Sequence, residues 1–459
     1  MTEEKSLKMR NMPMGKLIAS MSIPAMFSML IQALYNIVDT IYVARIDKTS
    51  DALITALGYA FPMQILLMAF ALGIGIGTNV LVARKLGERK PEEASRFGQT
   101  GIMLTIMMSI VFLGLSFVIV EPFMKMMSNN HEIIKAGTSY LRIVMAFSIF
   151  QFLEIVYTKI LQSTGQMIIP MFTQLIGAIT NIILDPIFIF GWFGLPAFGV
   201  TGAAIATVIG QGVAMIFVLI YTYRKKLEIS LSLRRFRFSK HHVTEIIKLG
   251  APSAVMNSVA SITNIALNSI LKQHDPEETA NAVLTSYFKL QSFVFMPAFG
   301  LNQGGMPILS YNYGANNKKR FDKALKILFT TALSILTVGL LIFQIFPKPL
   351  LNLFSPSPRM IELGLPALRL ISLAFIPAAI NVILTMTFQS VGRGFVAMTM
   401  SLLRQLAFLI PFAYLFGKFW KLNGVWLAFP ASEAIVTLFF FPLGIYIVRK
   451  VFQLKEKLL

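Results

Sequence analysis

Four carboxylates lie well inside long apolar runs of this chain: Asp39, Glu154, Asp185 and Glu433. The rest of the 21 Asp and Glu residues fall at run ends or between runs. An acidic group at the centre of a membrane helix costs roughly 2.5–3.5 kcal/mol on insertion scales, and such groups mark ion or substrate paths. Asp39 has company. Gln32, Tyr35, Asn36 and Asp39 recur at i, i+3, i+4 and i+7 and so share one helix face. Upstream, Pro24 deletes a backbone hydrogen bond and lets the same helix bend. Asn181 and Asp185 stand at i and i+4, with Pro186 next, where an unwound turn would expose backbone carbonyls. Gln151, Glu154, Thr158 and Gln162 make another stripe. Side chains of these types can hold a small cation or a proton along a polar path. The competing reading is helix–helix hydrogen bonding. It is strongest for Glu433, which reads as a structural pair with Arg404 on a neighbouring run.

The elements that must carry these residues are membrane helices. The 459 residues are 56% hydrophobic and only 14% charged, against about 25% charged in soluble domains. A span needs about 20 mostly apolar residues. Twelve runs qualify: 17–45, 54–83, 98–120, 138–161, 166–191, 199–223, 243–271, 281–312, 324–346, 365–390, 394–417 and 424–448. The first is too long for a signal-peptide core and reads as a retained helix. Most Lys and Arg fall on the side of the N-terminus, which predicts cytoplasmic termini in a cell (plasma) membrane. The net charge of +20 thus reflects loop bias and not nucleic-acid binding. With no Cys, disulfides and thiolate chemistry are excluded. His131, His241, His242 and His274 all read as loop residues, which leaves no histidine base or metal ligand within the bilayer. The expected fold is an all-α polytopic membrane protein.

The two halves resemble each other. Pro24 aligns with Pro252, Asn36–Ile37 with Asn264–Ile265, Tyr59 with Tyr287 and Gly77 with Gly305; residues 141–165 align with 368–392. Six helices per repeat keep both copies in one orientation, an arrangement that recurs in secondary transporters with the substrate path at the repeat interface. The expected domains are an N-terminal six-helix lobe (1–223), a basic cytoplasmic linker (224–242) and a C-terminal six-helix lobe (243–459). Charge is not repeated. Asn257, Ser261, Asn264 and Asn268 replace the first stripe, Leu267 aligns with Asp39, and Asn381, Thr385 and Gln389 replace the stripe of Glu154. Cation chemistry is therefore expected in the N-terminal half.

Other features carry less. The 26 Met and 39 Phe suit a polyspecific cavity but are also common in membrane cores. Lys289 either pairs with a carboxylate or snorkels to an interface. "GIGIG" (73–77) lacks a P-loop lysine and reads as helix packing, so ATP is not the direct energy source. Asp39 and Asp185 could imitate the aspartyl dyad of an intramembrane enzyme, but the flanking pattern is missing. The chain is read as a non-enzyme.

The residues resemble the multidrug and toxic-compound extrusion (MATE) transporters, prokaryotic branch, over nearly the whole length. The likeness rests on "IPAMFSMLIQALYNIVDTIYVARI", "GYAFPMQ", "ARKLGERK", "LQSTGQ", "NIILDPIFIFG" and "GVTGAAIAT" in this order. It implies twelve helices in two pseudo-symmetric six-helix bundles around a cavity open alternately to each side. It also implies cation-coupled export of bulky, often cationic or amphipathic drugs and toxic compounds. By motif, Asp39 is the coupling carboxylate and Pro24 the hinge. Asn181, Asp185 and Thr207 complete the cation site, with Thr201 as the rival hydroxyl. Gln32 and Tyr35 line the substrate cavity, with Asn36, Glu154 and Thr158 added from the polar stripes. Two carboxylates, an amide and a hydroxyl offer hard oxygen ligands, so Asp39 and Asp185 could hold Na+; burial and mutual repulsion could equally make them hold H+. No cofactor beyond that ion is expected. The expected partners are a small-molecule substrate and the lipid bilayer, with the protein a monomer. A lipid-linked saccharide flippase is the related alternative; it would favour a cationic cavity, unlike the acidic stripe.

Overall fold

The structure is a computed structural model that describes residues 8–44, 52–225, 227–275, 277, 279–354 and 356–456, and among them there is no strand. In a bilayer every backbone N–H and C=O needs an internal partner, which leaves helices as the solution for these apolar runs. The chain falls into two units. The first holds residues 1–12 and 27–254, and the second holds 13–26 and 255–459. The sequence suggested a division in the linker 224–242. By internal contacts the grouping changes within the first helix of each repeat, two residues past the aligned Pro24 and Pro252.

Helix α1 (Met14–Ala44) runs through Pro24. In the first unit it is followed by α2 (Ala52–Gly87), α3 (Pro91–Val118), α4 (Val120–Met127), α5 (His131–Ala146), α6 (Ser148–Ser163), α7 (Ile168–Phe190) and α8 (Val200–Arg224). Its core gathers Leu67, Phe112, Leu141, Met145, Phe152 and Ala204 from α2, α3, α5, α6 and α8. The second repeat continues with α9 (Lys240–His274), α10 (Thr279–Gly314), α11 (Lys318–Ile345), α12 (Pro347–Asn352), α13 (Pro358–Ser372), α14 (Phe375–Ser390), α15 (Gly394–Leu402), a π-helical turn (Leu403–Leu409) and α16 (Ile410–Glu456).

Eight helices among the described residues are long and apolar enough to cross a membrane. Two bent pairs, α5 with α6 and α13 with α14, raise this to ten. The runs expected at 138–161 and 365–390 are these pairs, each bent by 47°. The run expected at 281–312 is α10, a 36-residue helix too polar to pass on composition. The last two runs lie in one stretch interrupted at Trp420–Lys421, where Lys421 has φ +51°. The twelve expected spans are thereby accounted for. Exposed Ile110, Phe117, Leu438 and Phe439 form the apolar outer surface that lipid requires.

Local chemistry repeats with the sequence. "LQSTGQ" ends α6 with Gly165 at φ +81°, and "FQSVGR" ends α14 with Gly392 at φ +83°. Only glycine adopts that conformation freely. In each turn the glycine N–H bonds a glutamine carbonyl, Gln162 or Gln389, and the next N–H reaches back to Leu161 or Phe388. Asn130 caps α5 and Ser357 caps α13, each side chain accepting a backbone N–H of the first turn.

Two pairs of glycines let helices cross at backbone contact. A Cβ on Gly73 would lie 3.0 Å from the Gly250 carbonyl oxygen, and one on Gly77 would collide with the Ile246 carbonyl. These contacts tie the start of α9 into the first unit. In the second unit a Cβ on Gly300 would lie 2.5 Å from Met26 Cα, and one on Gly304 would lie 2.6 Å from Ser22 Oγ. "GIGIG" is therefore a helix-packing surface of the small-xxx-small kind.

Candidate functional site

The site is built where α7 and α8 touch. A Cβ on Gly210 would lie 2.9 Å from the Gly177 carbonyl oxygen and 3.2 Å from Asn181 Cβ, and one on Gly177 would lie 3.1 Å from Ala214 Cβ. Without side chains at 177 and 210 the helices close up, and Thr207 comes opposite Asn181. Gly202 likewise packs on the backbone of Phe188 and Ile189, so the small residues of "GVTGAAIAT" serve this approach. Asn181 Nδ2 donates to Asp185 Oδ1 at 3.3 Å and to Thr207 Oγ1 at 3.3 Å. Asp185 is completely buried, and Asn181 and Thr207 are 2% and 8% exposed. Among the described residues nothing donates to Asn181 Oδ1. The result is a buried set of oxygens that includes a carboxyl group, suited to a small hard cation or to a proton.

The hydroxyl that reaches Asn181 is that of Thr207, not Thr201. Helix α7 does not unwind at Pro186: it runs unbroken from Ile168 to Phe190. The missing proline N–H leaves only the Ile182 carbonyl without its usual helical partner. The backbone of α1 past Met26 belongs to the same unit as this set. Gln32 is half-buried there; the side chains of Tyr35, Asn36 and Asp39 lie outside the described residues.

Glu154 is half-buried on α6, where Thr158 Oγ1 donates to its Oε1 at 3.2 Å. One turn on is Lys159, a residue of the expected run 138–161 that none of the polar stripes includes. Lys159 is 8% exposed, its Nζ donates to Gln162 Oε1 at 3.0 Å, and its carbonyl accepts from Asn79 Nδ2 at 2.7 Å. The missed signal was that "YTKILQS" keeps its apolar neighbours through Leu161.

The four histidines are not loop residues. His131 opens α5, His241 and His242 lie in the first turn of α9, and His274 ends it. His242 is buried, edge-on to Phe97, with Nε2 3.1 Å from Glu93 Oε2. The hydrogen bond from His242 holds the Glu93 carboxyl below its ordinary value against the penalty of burial, helped by the charges of His242, Arg96 and Lys85. In the linker, burial pushes Glu228 up to about 7.

In the second unit Glu433 Oε1 accepts from Arg404 at 2.8 Å and its Oε2 accepts from Asn381 Nδ2 at 2.7 Å. Thr437 Oγ1 donates to the other end of the same amide at 3.1 Å. The amide that replaces Glu154 in the repeat thus serves a carboxylate from another helix. Lys289 is exposed, with Nζ 6.0 Å from the Phe354 ring centre, and has no ion pair among the described residues.

A family model, MatE, matches residues 24–187 and again 252–415. The chain belongs to the MatE family. The two matches begin on the aligned prolines and carry the same offset at both ends, so the internal repeat is the family's unit. The chain is 24% identical over 428 residues to the multidrug export protein MepA of Staphylococcus haemolyticus, covering 93% of this chain and 92% of the relative. It is 24% identical over 427 residues to a protein of Shewanella oneidensis named an FAD transporter, covering 92% and 93%. A solved outward-facing MATE family transporter of the MOP superfamily superposes with TM-score 0.91 at 25% identity, covering 97% of this chain and 98% of that one. This MatE protein is thus a multi-pass membrane transporter and not an enzyme, and its relatives support drug export.

Proposed function

We propose that this MatE protein is a cation-coupled antiporter that exports bulky, often cationic or amphipathic compounds by alternating access. It works as a monomer in the plasma membrane with both termini cytoplasmic. The observation that carries the reading is the buried Asn181–Asp185–Thr207 set, held between two zipped helices in the unit that also contains the polar stripe of α1. The coupling ion, H+ or Na+, is a transported substrate here. It neutralises the Asp185 carboxylate together with Asp39 and lowers the cost of burying that charge.

Neutralisation biases the position of α1. Pro24 lies two residues before the point where α1 passes from one unit to the other, a suitable place for a bend. Gln32, Tyr35, Asn36, Glu154 and Thr158 supply polar contacts to the compound. Ion and compound must each bind the two states of the transporter with different affinity, or no exchange results.

Efflux of a fluorescent organic cation from proteoliposomes, with Na+ and pH gradients imposed separately, tests the reading. Accumulation against the dye gradient under at least one inward ion gradient is expected. Dye that moves at the same rate with and without either gradient would remove ion coupling from the account.

A further inference from the structure

We propose that the second unit contains a ligand site of its own, which accepts an aromatic organic anion through Arg404. Three observations converge. A cavity of about 330 Å³ opens within this unit, and both Arg404 and Glu433 border it, with Phe288, Phe295 and Phe429 on its walls and the Gln291 amide beside them. Pockets of this size take small drug-like molecules when apolar walls surround a few placed polar groups. Arg404 lies in the π-helical turn Leu403–Leu409, a local departure from α geometry that is frequent at functional sites. A charged pair at membrane depth is costly, and simple helix pairing does not call for a cavity alongside it.

The direction of charge preference follows from the hydrogen bonds. Both oxygens of Glu433 are engaged, one by Arg404 and one by Asn381. Arg404 gives a single N–H to Glu433, while 28% of its side chain stays exposed against 15% for Glu433. A guanidinium has five donors in a planar fork, so the open polar face of the pair is cationic. That face matches a carboxylate or sulfonate, and the phenylalanine rings receive an aromatic body. Glu433 offsets part of the guanidinium charge, with Asn381 occupying its other oxygen, so it competes with an incoming anion for Arg404. The site differs in sign from the Asn181–Asp185–Thr207 set and needs no ion gradient to fill, so its test is independent of the coupling reading.

The test is equilibrium binding of tritiated 2-naphthoate to the purified full chain in detergent, with 2-naphthylmethylammonium as the competitor of like shape and opposite charge. Saturable naphthoate binding that the ammonium compound does not displace is expected. Arg404→Gln should weaken it by about 10- to 100-fold, the loss of a charge-assisted contact. Glu433→Gln should leave it equal or tighter. Because Arg404→Gln strands a carboxylate and can impair folding, the charge-balanced pair Arg404→Gln with Glu433→Gln gives the second arm. It should elute as a single species and still lack naphthoate binding. Absence of saturable binding to the parent protein, displacement by the ammonium compound, or parental affinity in the double variant would each overturn the proposal.

Discussion

Replacing Gly304 by alanine puts a methyl group where the backbone of α1 already lies. The new Cβ would sit 2.6 Å from Ser22 Oγ, 2.7 Å from Ser22 Cα and 2.8 Å from the Met21 carbonyl carbon. Carbon atoms rest at about 3.5–4.0 Å, so α1 and α10 must part by about 1 Å. Two of the three obstacles are backbone and cannot rotate away. Overpacking of this kind costs about 1–3 kcal/mol, and the gain from removing a helical glycine offsets only about 0.5–1 kcal/mol. A net loss of about 1–2 kcal/mol is expected. The thermal midpoint in detergent, read by intrinsic fluorescence, should fall by several degrees, at about 2–4 °C per kcal/mol for a domain of 150–250 residues. Gly114→Ala is the control, because a Cβ there meets nothing within 4 Å; its midpoint should stay level or rise. A Gly304→Ala protein as stable as Gly114→Ala would refute the claim that this crossing is held at backbone contact.

Thr207→Val removes the oxygen that accepts from Asn181. It should raise the ion concentration needed for half-maximal export by about 2- to 12-fold, equivalent to about 0.5–1.5 kcal/mol, while Thr201→Val stays within the error of the parent. Glu228, raised to about 7 by burial, keeps its proton in the folded linker at pH values where the unfolded chain has lost it. Its contribution is full below its ordinary value of 4.5 and is lost as pH rises through about 7. Trypsin should therefore cut the linker faster at pH 8 than at pH 5.5 after correction for enzyme activity, and Glu228→Gln should flatten the difference. Ser357→Ala deletes the cap of α13 and should cost about 1 kcal/mol, visible as a lower thermal midpoint.

The repeat was legible because aligned residues do the same physical work in both copies. Pro24 and Pro252 lie inside the first helix of each repeat, and the glycines of "LQSTG" and "FQSVG" end matching helices. The pairing of Asn181 with Asp185 was legible from i, i+4 spacing alone. The choice of Thr207 over Thr201 was not, because it depends on how deeply α7 and α8 interpenetrate at Gly177 and Gly210. The bends after Ala146 and Ser372 escaped notice, since apolar composition continues across them and nothing in hydropathy records a 47° turn. Lys159 was not singled out because it falls off the polar stripe of Gln151, Glu154, Thr158 and Gln162. The run 281–312 was read as apolar, although the Asn, Gln and Ser residues of α10 dilute its apolarity. Glu433 and Arg404 were recognisable as a pair, but the cavity beside them arises from packing among helices distant in the chain.

The central claim is that a small cation titrates the carboxylates of the first unit in each cycle. Its most direct test is uphill export by Asp185→Asn in proteoliposomes under a saturating ion gradient, with the parent protein alongside. The account predicts that the variant still equilibrates the dye across the membrane but no longer concentrates it. Undiminished concentration against the dye gradient would contradict it.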